Sequence, residues 1–121
     1  MVGIDIGYFP ASLFTSLTDG ADLLEWGGVV FDSLGSDEHT STDMGSGDFP
    51  SSGYRKACYI LKLHYVDGSG ALQIPQLEEL VPLVSKPLCY DAHVPAVGNP
   101  DPNIGLYFYF GGPGQNSNGC T

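Results

Sequence analysis

Basic residues are scarce in this sequence. Four lysines and arginines stand against fourteen aspartates and glutamates, so the formal net charge at pH 7 is −10. Because nonspecific nucleic-acid binding depends on cationic side chains that neutralise phosphates, this balance argues against nucleic acid as a partner. The acidic residues are scattered rather than grouped, which is typical of a solvated protein surface.

Long apolar runs are also missing. No stretch reaches the roughly 18 apolar residues of a membrane-spanning helix. The opening "MVGIDIGYFP" has neither the charged start nor the apolar middle of a signal peptide. We therefore expect no membrane partner. A chain without a leader fits either a cytosolic protein or a portion of a longer one, and the strand-like residues directly after the opening methionine favour the second.

The sequence has no close pair of His or Cys ligands. His39, His64 and His93 are far apart and none has a neighbouring His or Cys, so their spacing predicts no metal site and no cofactor. No Gly-x-Ser-x-Gly motif occurs. The "GSG" at 45–47 precedes no helical pattern, so a flexible turn is favoured over a phosphate-binding loop.

Cysteine is sparse, with three residues in the chain of 121. Cys89 and Cys120 each lie in a Pro/Gly-rich stretch, whereas Cys58 lies in a strand-like pattern. We therefore predict a disulfide between Cys89 and Cys120, with Cys58 left over. Closing that loop would stabilise the fold by roughly 3 to 4 kcal/mol. Three reduced thiols in a cytosolic protein are the alternative.

Glycine, proline and aromatic residues are abundant and predict sheet structure. The chain contains 17 glycines, 9 prolines and 7 tyrosines. Alternating side chains predict a strand over 54–67, and "IGLYFYFGGPG" at 104–114 predicts a final aromatic strand. One short helix is predicted near residues 10–19, and prolines break residues 75–87 into pieces too short for another. The fold class predicted is all-β, mainly an antiparallel β-sandwich.

A glycine pair interrupts another predicted strand, "DLLEWGGVVF". Gly27 and Gly28 weaken a strand and are normally kept only where a bulge or a close approach needs them, so we expect something to lie against them. Residues 34–53 follow as a long loop. Glu25 and Glu38 are the acidic residues nearest these features, and two carboxylates in one pocket are the minimum for acid–base hydrolysis. The composition alone fits equally well with Glu25 and Glu38 being ordinary charged residues on the surface.

Six motifs follow one another in an order and spacing that resemble the C-terminal half of the neprosin domain of plants. They are "IGYFPASLF", "EWGGVV", "EHTSTDMGSGDFP", "GYRKACY", "KPLCYDA" and "YFYFGGPG" followed by Cys120. The resemblance covers essentially the whole chain and implies that residues 1–121 are part of a sandwich of two antiparallel sheets. It also implies a secreted glutamic endopeptidase that cuts at proline under acidic conditions. Cys89 and Cys120 match the C-terminal disulfide of that family.

The sequence departs from the family pattern at a catalytic position. The pattern is Trp-Gly-Gly-Glu, with the glutamate on the floor of the substrate cleft, whereas Val29 follows the glycine pair here. The other catalytic glutamate belongs to the N-terminal half, which these residues do not include. The resemblance leaves several candidates for lining the cleft, although Glu38 also fits the surface and the aromatic residues also fit the core. They are Trp26, Gly27, Gly28, Glu38 and Tyr107.

We therefore expect a neprosin-like domain without peptidase activity, because valine cannot transfer a proton. Two alternatives stay open. The chain is an active proline-directed glutamic endopeptidase once an upstream half completes it, or it is a binding module for proline-containing peptides or cell-wall polymers. Half of a sandwich also exposes apolar faces and strand edges, so we expect self-association.

Overall fold

A computed structural model describes residues 7, 9–32, 39–95, 103–116 and 119–120. These residues form five short strands: β1 (Cys58–Ile60), β2 (Tyr65–Val66), β3 (Leu72–Gln73), β4 (Asp91–His93) and β5 (Phe108–Gly111). Three 3-10 helices accompany them, at Ala11–Leu13, Pro50–Ser52 and Leu77–Glu79. The predicted all-β class with antiparallel sheets is confirmed. Within the described ranges, no helix has the length and apolar character needed to span a membrane.

The larger sheet has three strands in the order β1-β5-β4. The central strand β5 pairs antiparallel with both neighbours, and Tyr59 of β1 and His93 of β4 both lie opposite Tyr109. Aromatic side chains favour strands because they pack well on a pleated surface. The final aromatic strand predicted from the sequence is therefore confirmed, and it organises the sheet.

Lys62 divides the strand predicted over 54–67 into β1 and β2. Its φ of 54° lies in the left-handed region, which a strand does not accommodate. The Leu63 N–H then donates to the Leu106 carbonyl at 3.1 Å instead of continuing the ladder. The prediction of one continuous strand over 54–67 is therefore wrong. Tyr59 and Leu63 would share a face of such a strand, yet Tyr59 is 39% exposed and Leu63 only 2%.

The β2–β3 hairpin is closed by the side chain of Asp67. This carboxylate accepts hydrogen bonds from the Ser69 hydroxyl and N–H, the Ala71 N–H and the Gln73 amide at 2.6 to 3.0 Å. The bonds favour the charged form, with the Ser69 hydroxyl contributing most, and they lower the pKa of Asp67 from 3.8 to about 2. Residues 67–70, "DGSG", form the turn of this hairpin, and the Gly70 N–H donates to the Asp67 carbonyl at 2.9 Å.

We expect Asp67→Asn to loosen the β2–β3 hairpin, because an amide presents one acceptor oxygen where the carboxylate presents two. In the wild type, the contribution of the carboxylate is complete above its unfolded pKa of about 4 and is lost as the pH falls through about 2. Hydrogen exchange of the Ser69 and Ala71 amides at pH about 5 measures the loosening. Glu78→Gln is the control, and protection equal to wild type in Asp67→Asn would contradict this role.

The segment from Phe9 to Asp32 is less regular than predicted. The predicted short helix is a single 3-10 turn, closed by the Leu13 N–H donating to the Pro10 carbonyl. Leu13 is 64% exposed and Leu17 53% exposed, so little packing is present to extend the turn into an α-helix. The predicted strand "DLLEWGGVVF" is wrong, because residues 21–32 pair with no strand in the described part of the chain.

The part of the chain that the structure describes contains two small core clusters. The first core cluster is formed by buried side chains at the junction of β1 and β5, and its members are Leu63, Leu106 and Phe108. Trp26 and Ile60, among others, pack against it from outside. The second core cluster lies between the loop before β4 and the end of the chain, and its members are Cys89, Tyr90 and Cys120.

The predicted disulfide between Cys89 and Cys120 is confirmed. The two Cα atoms lie 5.0 Å apart, within the range that a disulfide requires. Two further contacts hold the same region together. Asn116 and Cys120 form an isolated β-bridge, and the side-chain amide of Asn116 donates to the Leu88 carbonyl at 2.9 Å. Cys58 is a free thiol, as expected.

Large apolar side chains remain exposed along the segment before residue 32. Val29 is 94% exposed, Phe31 86% and Phe9 79%. Apolar surface of this extent favours association and supports the predicted self-association, which stays a prediction.

We expect Phe31→Glu to shift the mass measured by light scattering toward the monomer value of 12.8 kDa. Ser51→Glu is the control, because it adds the same charge on a polar surface. A wild-type monomer at every concentration would contradict self-association.

Candidate functional site

A cleft of about 1140 Å³ opens beside the three-stranded sheet. Phe108 and Phe110 of β5, together with Leu63, supply an apolar surface on one side of it. The rest of the lining comes mainly from two irregular segments, residues 19–29 and 79–86. The cleft therefore lies where the sheet meets chain segments without regular secondary structure.

Trp26, Gly27 and Gly28 all line this cleft. Trp26 is partly buried and packs against the first core cluster, so it serves the core and the cleft together. A Cβ atom on Gly28 would lie 2.8 Å from Met44 Cγ and 2.9 Å from a ring carbon of Phe110. The expected close approach is thus present at Gly28. The expectation is wrong for Gly27, where a Cβ would meet nothing within 4 Å.

Val29 follows the glycine pair on the wall of the cleft. With 94% of its surface exposed, its side chain makes almost no packing contact. A hydrocarbon side chain at this position can neither donate nor accept a proton. Glu25 also lines the cleft and is exposed, whereas Glu38 lies outside the described residues.

The charged groups that line the cleft are mainly acidic. The carboxylates among them are those of Asp19, Asp22, Glu25, Asp67, Glu79 and Asp91. Lys86 is the one base among the described lining residues. Glu79 caps the backbone N–H of Gln76 at 3.0 Å, and Asp67 closes the hairpin, so these two carboxylates already have structural roles. An apolar cleft with acidic edges suits a neutral or cationic extended chain better than an anionic one.

Tyr107 lies away from this cleft. Strand alternation directs the two phenylalanines of β5 toward the cleft and Tyr109 to the other face of the sheet. Tyr107 joins Tyr109 there, with ring centroids 5.7 Å apart, and Tyr59 packs 6.2 Å from Tyr109. Burial, and after it the neighbouring tyrosine phenols, raises the pKa of Tyr109. The structure therefore separates Tyr107 from Trp26, although both were candidates for one cleft.

Asp32 and His39 form a polar pair that sequence spacing did not predict. His39 Nδ1 lies 3.2 Å from Asp32 Oδ2, which also accepts from the Thr40 N–H at 3.1 Å. The Tyr90 ring packs edge-on against the His39 ring, with centroids 5.4 Å apart. Burial, and then the carboxylates of Asp32 and Asp43, raises the pKa of Tyr90.

This pair adjoins a smaller cavity of about 200 Å³, which His39, Lys86, Tyr90 and Val29 help to line. His39 also lies against the disulfide of the second core cluster. The three histidines are widely separated in sequence, and none has a neighbouring His or Cys. The site arises from long-range packing of loops, for which the sequence has no local signal.

The described residues thus form an all-β structure with antiparallel sheets, a disulfide and an open cleft that has acidic edges. A comparison with protein-family models finds the family described as Neprosin over residues 1–113. The chain therefore belongs to the neprosin family of peptidase-like proteins.

Proposed function

We propose that this chain is the C-terminal portion of a neprosin domain and lacks peptidase activity of its own. The observation that carries the proposal is Val29, which lines the cleft at the position where the family pattern has glutamate. Amide hydrolysis by a carboxyl pair needs one group to take a proton from water and another to protonate or polarise the amide. Losing one such group typically lowers the rate by about 10²- to 10⁴-fold.

Glu25 is not an adequate substitute for the missing glutamate. It lies four residues before Val29, roughly 13 Å along an extended chain. It is exposed in the structure. Acid–base hydrolysis needs two groups whose pKa values differ, and a single exposed carboxylate supplies only one of them. Among the described residues, no pair of carboxylates occupies the position that the family pattern requires.

The test is incubation of the wild-type chain with a proline-containing peptide at acid pH, followed by mass spectrometry of the products. We expect no cleavage above the buffer blank. An active member of the family serves as the positive control for the peptide and the buffer. The proposal would be overturned if the wild-type chain cleaves the peptide and still does so after repurification and after expression in a different host.

The family also suggests where the protein resides, and we propose an extracytoplasmic location. The disulfide between Cys89 and Cys120 supports this, because structural disulfides persist in oxidising compartments and are rare in the cytosol. Alkylation of free thiols in protein taken from its native compartment tests it. We expect Cys58 to be labelled and the other two cysteines to be protected.

A second candidate function is binding of proline-containing peptides without cleavage. Trp26 and the apolar side of the cleft favour it, since proline-rich segments dock in aromatic-lined grooves. Trp26 is the only tryptophan, so its fluorescence reports directly on the cleft. We expect a saturable change on titration with a proline-rich peptide, and a smaller change with a matched peptide in which alanine replaces proline.

The control for this titration is Tyr107→Ala, which alters an aromatic residue on the other face of the sheet and should leave the binding curve unchanged. Leu80→Asp, within the cleft, should weaken binding at least several-fold. An unaltered fluorescence signal at millimolar peptide, or equal binding of the alanine peptide, would contradict this second function.

A further inference from the structure

One face of the three-stranded sheet carries a connected group of tyrosine rings. Tyr109 of β5 lies on the face opposite the cleft, and Tyr59 of β1 lies directly across from it in the ladder. Neighbouring rings of the group have centroids 5.7 to 6.2 Å apart. We call this group the tyrosine face, and its members are Tyr54, Tyr59, Tyr107 and Tyr109. Tyr54 is 67% exposed and Tyr59 39%, so a ligand in solvent can reach the rings.

Cationic side chains accompany the tyrosine face. Three of the four basic residues of the chain lie within residues 55–62, and all three are exposed. They are Arg55, Lys56 and Lys62. The guanidinium carbon of Arg55 lies 5.7 Å from the centroid of the Tyr54 ring, a distance typical of a cation–π contact. Among the described residues none of the three cations forms a salt bridge, so their charges are open to a ligand.

The backbone at two of these cations adopts an uncommon conformation. Arg55 and Lys62 have φ angles of 72° and 54°, in the left-handed region that residues with a side chain rarely adopt. Arg55 directly follows Tyr54, and Lys62 lies beside Gly105, two residues before Tyr107. The backbone strain thus coincides with two points where a cation adjoins the tyrosine face.

Carboxylates are absent from the segments that form most of this surface. Neither residues 49–66 nor residues 102–121 contain an aspartate or a glutamate, and these two ranges include all four tyrosines and all three cations. The remaining strand, β4, contributes one carboxylate, Asp91, together with His93 opposite Tyr109. Charges are screened over about 8 Å at physiological ionic strength. A ligand on the tyrosine face therefore meets local positive charge, although the whole chain carries −10.

We propose that the tyrosine face binds an acidic polysaccharide, a chain of sugars that carry carboxylates. Tyrosine rings present apolar surfaces to the C–H faces of sugar rings, and their hydroxyls exchange hydrogen bonds with sugar hydroxyls. The cations pair with the sugar carboxylates, and the Arg55 guanidinium holds one of them through two parallel hydrogen bonds. The site lies on the opposite side of the sheet from Trp26 and the cleft, so it is independent of the function proposed above.

Other ligands fit this surface less well. Nucleic acid carries a denser row of negative charge, which the rest of this acidic chain repels more strongly. An acidic peptide supplies carboxylates but no row of ring faces for the tyrosines, and a neutral polysaccharide gives the three cations no partner. The combination of tyrosine rings and cations therefore favours sugars that carry carboxylates.

Isothermal titration calorimetry of the oxidised full chain with an oligomer of galacturonic acid tests the proposal. We expect saturable binding that weakens as salt is added, because the ion pairs lie at the surface. Methyl esterification of the oligomer removes its charge and should weaken binding by at least about tenfold. Trp26 fluorescence should stay unchanged at saturation, which separates this site from peptide binding in the cleft.

Two variants and one control locate the site. Arg55→Gln should weaken binding by at least about tenfold and Tyr54→Ala by about threefold or more, and both should retain the circular dichroism of the wild type. Lys86→Gln is the matched control, since it removes the fourth basic side chain, on the cleft side of the sheet, and should bind as the wild type does.

Four results would overturn the proposal. They are the absence of binding, equal binding of the esterified oligomer, equal binding of polyglutamate or of a single-stranded oligonucleotide, and equal losses of affinity in Arg55→Gln and Lys86→Gln.

Discussion

Removing the disulfide with the pair Cys89→Ala and Cys120→Ala is expected to lower the free energy of unfolding by roughly 3 to 4 kcal/mol. The bond closes a loop with a sequence separation of 31, and opening it enlarges the unfolded ensemble. Small domains have total stabilities of only about 5 to 15 kcal/mol, so this is a large part of what holds the chain folded. Urea unfolding of the oxidised chain, followed by Trp26 fluorescence, measures the change.

The control for this experiment is Cys58→Ala, which removes a thiol without opening a loop. Cys58 lies on β1 and is only partly buried, so its loss should cost much less. The disulfide also forms the second core cluster, and its removal should therefore loosen β4, which begins directly after Tyr90. A midpoint for the double variant no lower than that of Cys58→Ala would contradict the assigned role.

Local signals in the sequence were sufficient for several features of this fold. The aromatic run of β5 predicts a strand from its own residues, and this strand pairs with β1 in the structure. The turn after β2 depends on Asp67 and its immediate neighbours. The prolines after Pro75 exclude a long helix, and only the 3-10 turn at Leu77–Glu79 forms there. These features depend on residues close in sequence, which is why they could be predicted.

Other features depend on contacts between distant segments. The strand predicted around Gly27 needs a partner strand, and none pairs with it in the described part of the chain. A left-handed φ at Lys62 has no sequence signal, because lysine carries no preference for that region. The approach of His39 to the disulfide joins three remote loops. Such arrangements follow from packing and are not visible in periodicity or spacing.

The candidate cleft illustrates both cases. Trp26 and the glycine pair lie on one wall because they are consecutive, so a motif suffices to group them. Tyr107 was grouped with them through family resemblance, yet it packs beside Tyr109 on the other face of the sheet. Which face of an aromatic strand borders the cleft depends on the segment that covers it, here residues 79–86. Val29 follows the glycine pair directly and lies on the same wall for the same reason.

Placing a carboxylate at position 29 is expected to distinguish two explanations for a lack of activity, a missing catalytic group and a defective fold. Val29 is 94% exposed, so Val29→Glu should change the free energy of unfolding by no more than about 0.5 kcal/mol. In the isolated chain the variant should stay inactive, because one carboxylate has no partner to complete the pair. Activity should appear only when an upstream half of the domain, with its own glutamate, is folded together with the chain.

With that upstream half supplied from an active member of the family, we expect Val29→Glu to cleave a proline-containing peptide at acid pH at least about 10²-fold faster than the wild-type chain. Val29→Gln is the matched control, since it has the shape of glutamate and cannot transfer a proton at this pH. Peptide cleavage is followed by mass spectrometry, and gel filtration confirms that both halves associate. Cleavage by the complemented wild type as fast as by Val29→Glu would show that the family glutamate is dispensable and that the completed chain is a peptidase after all.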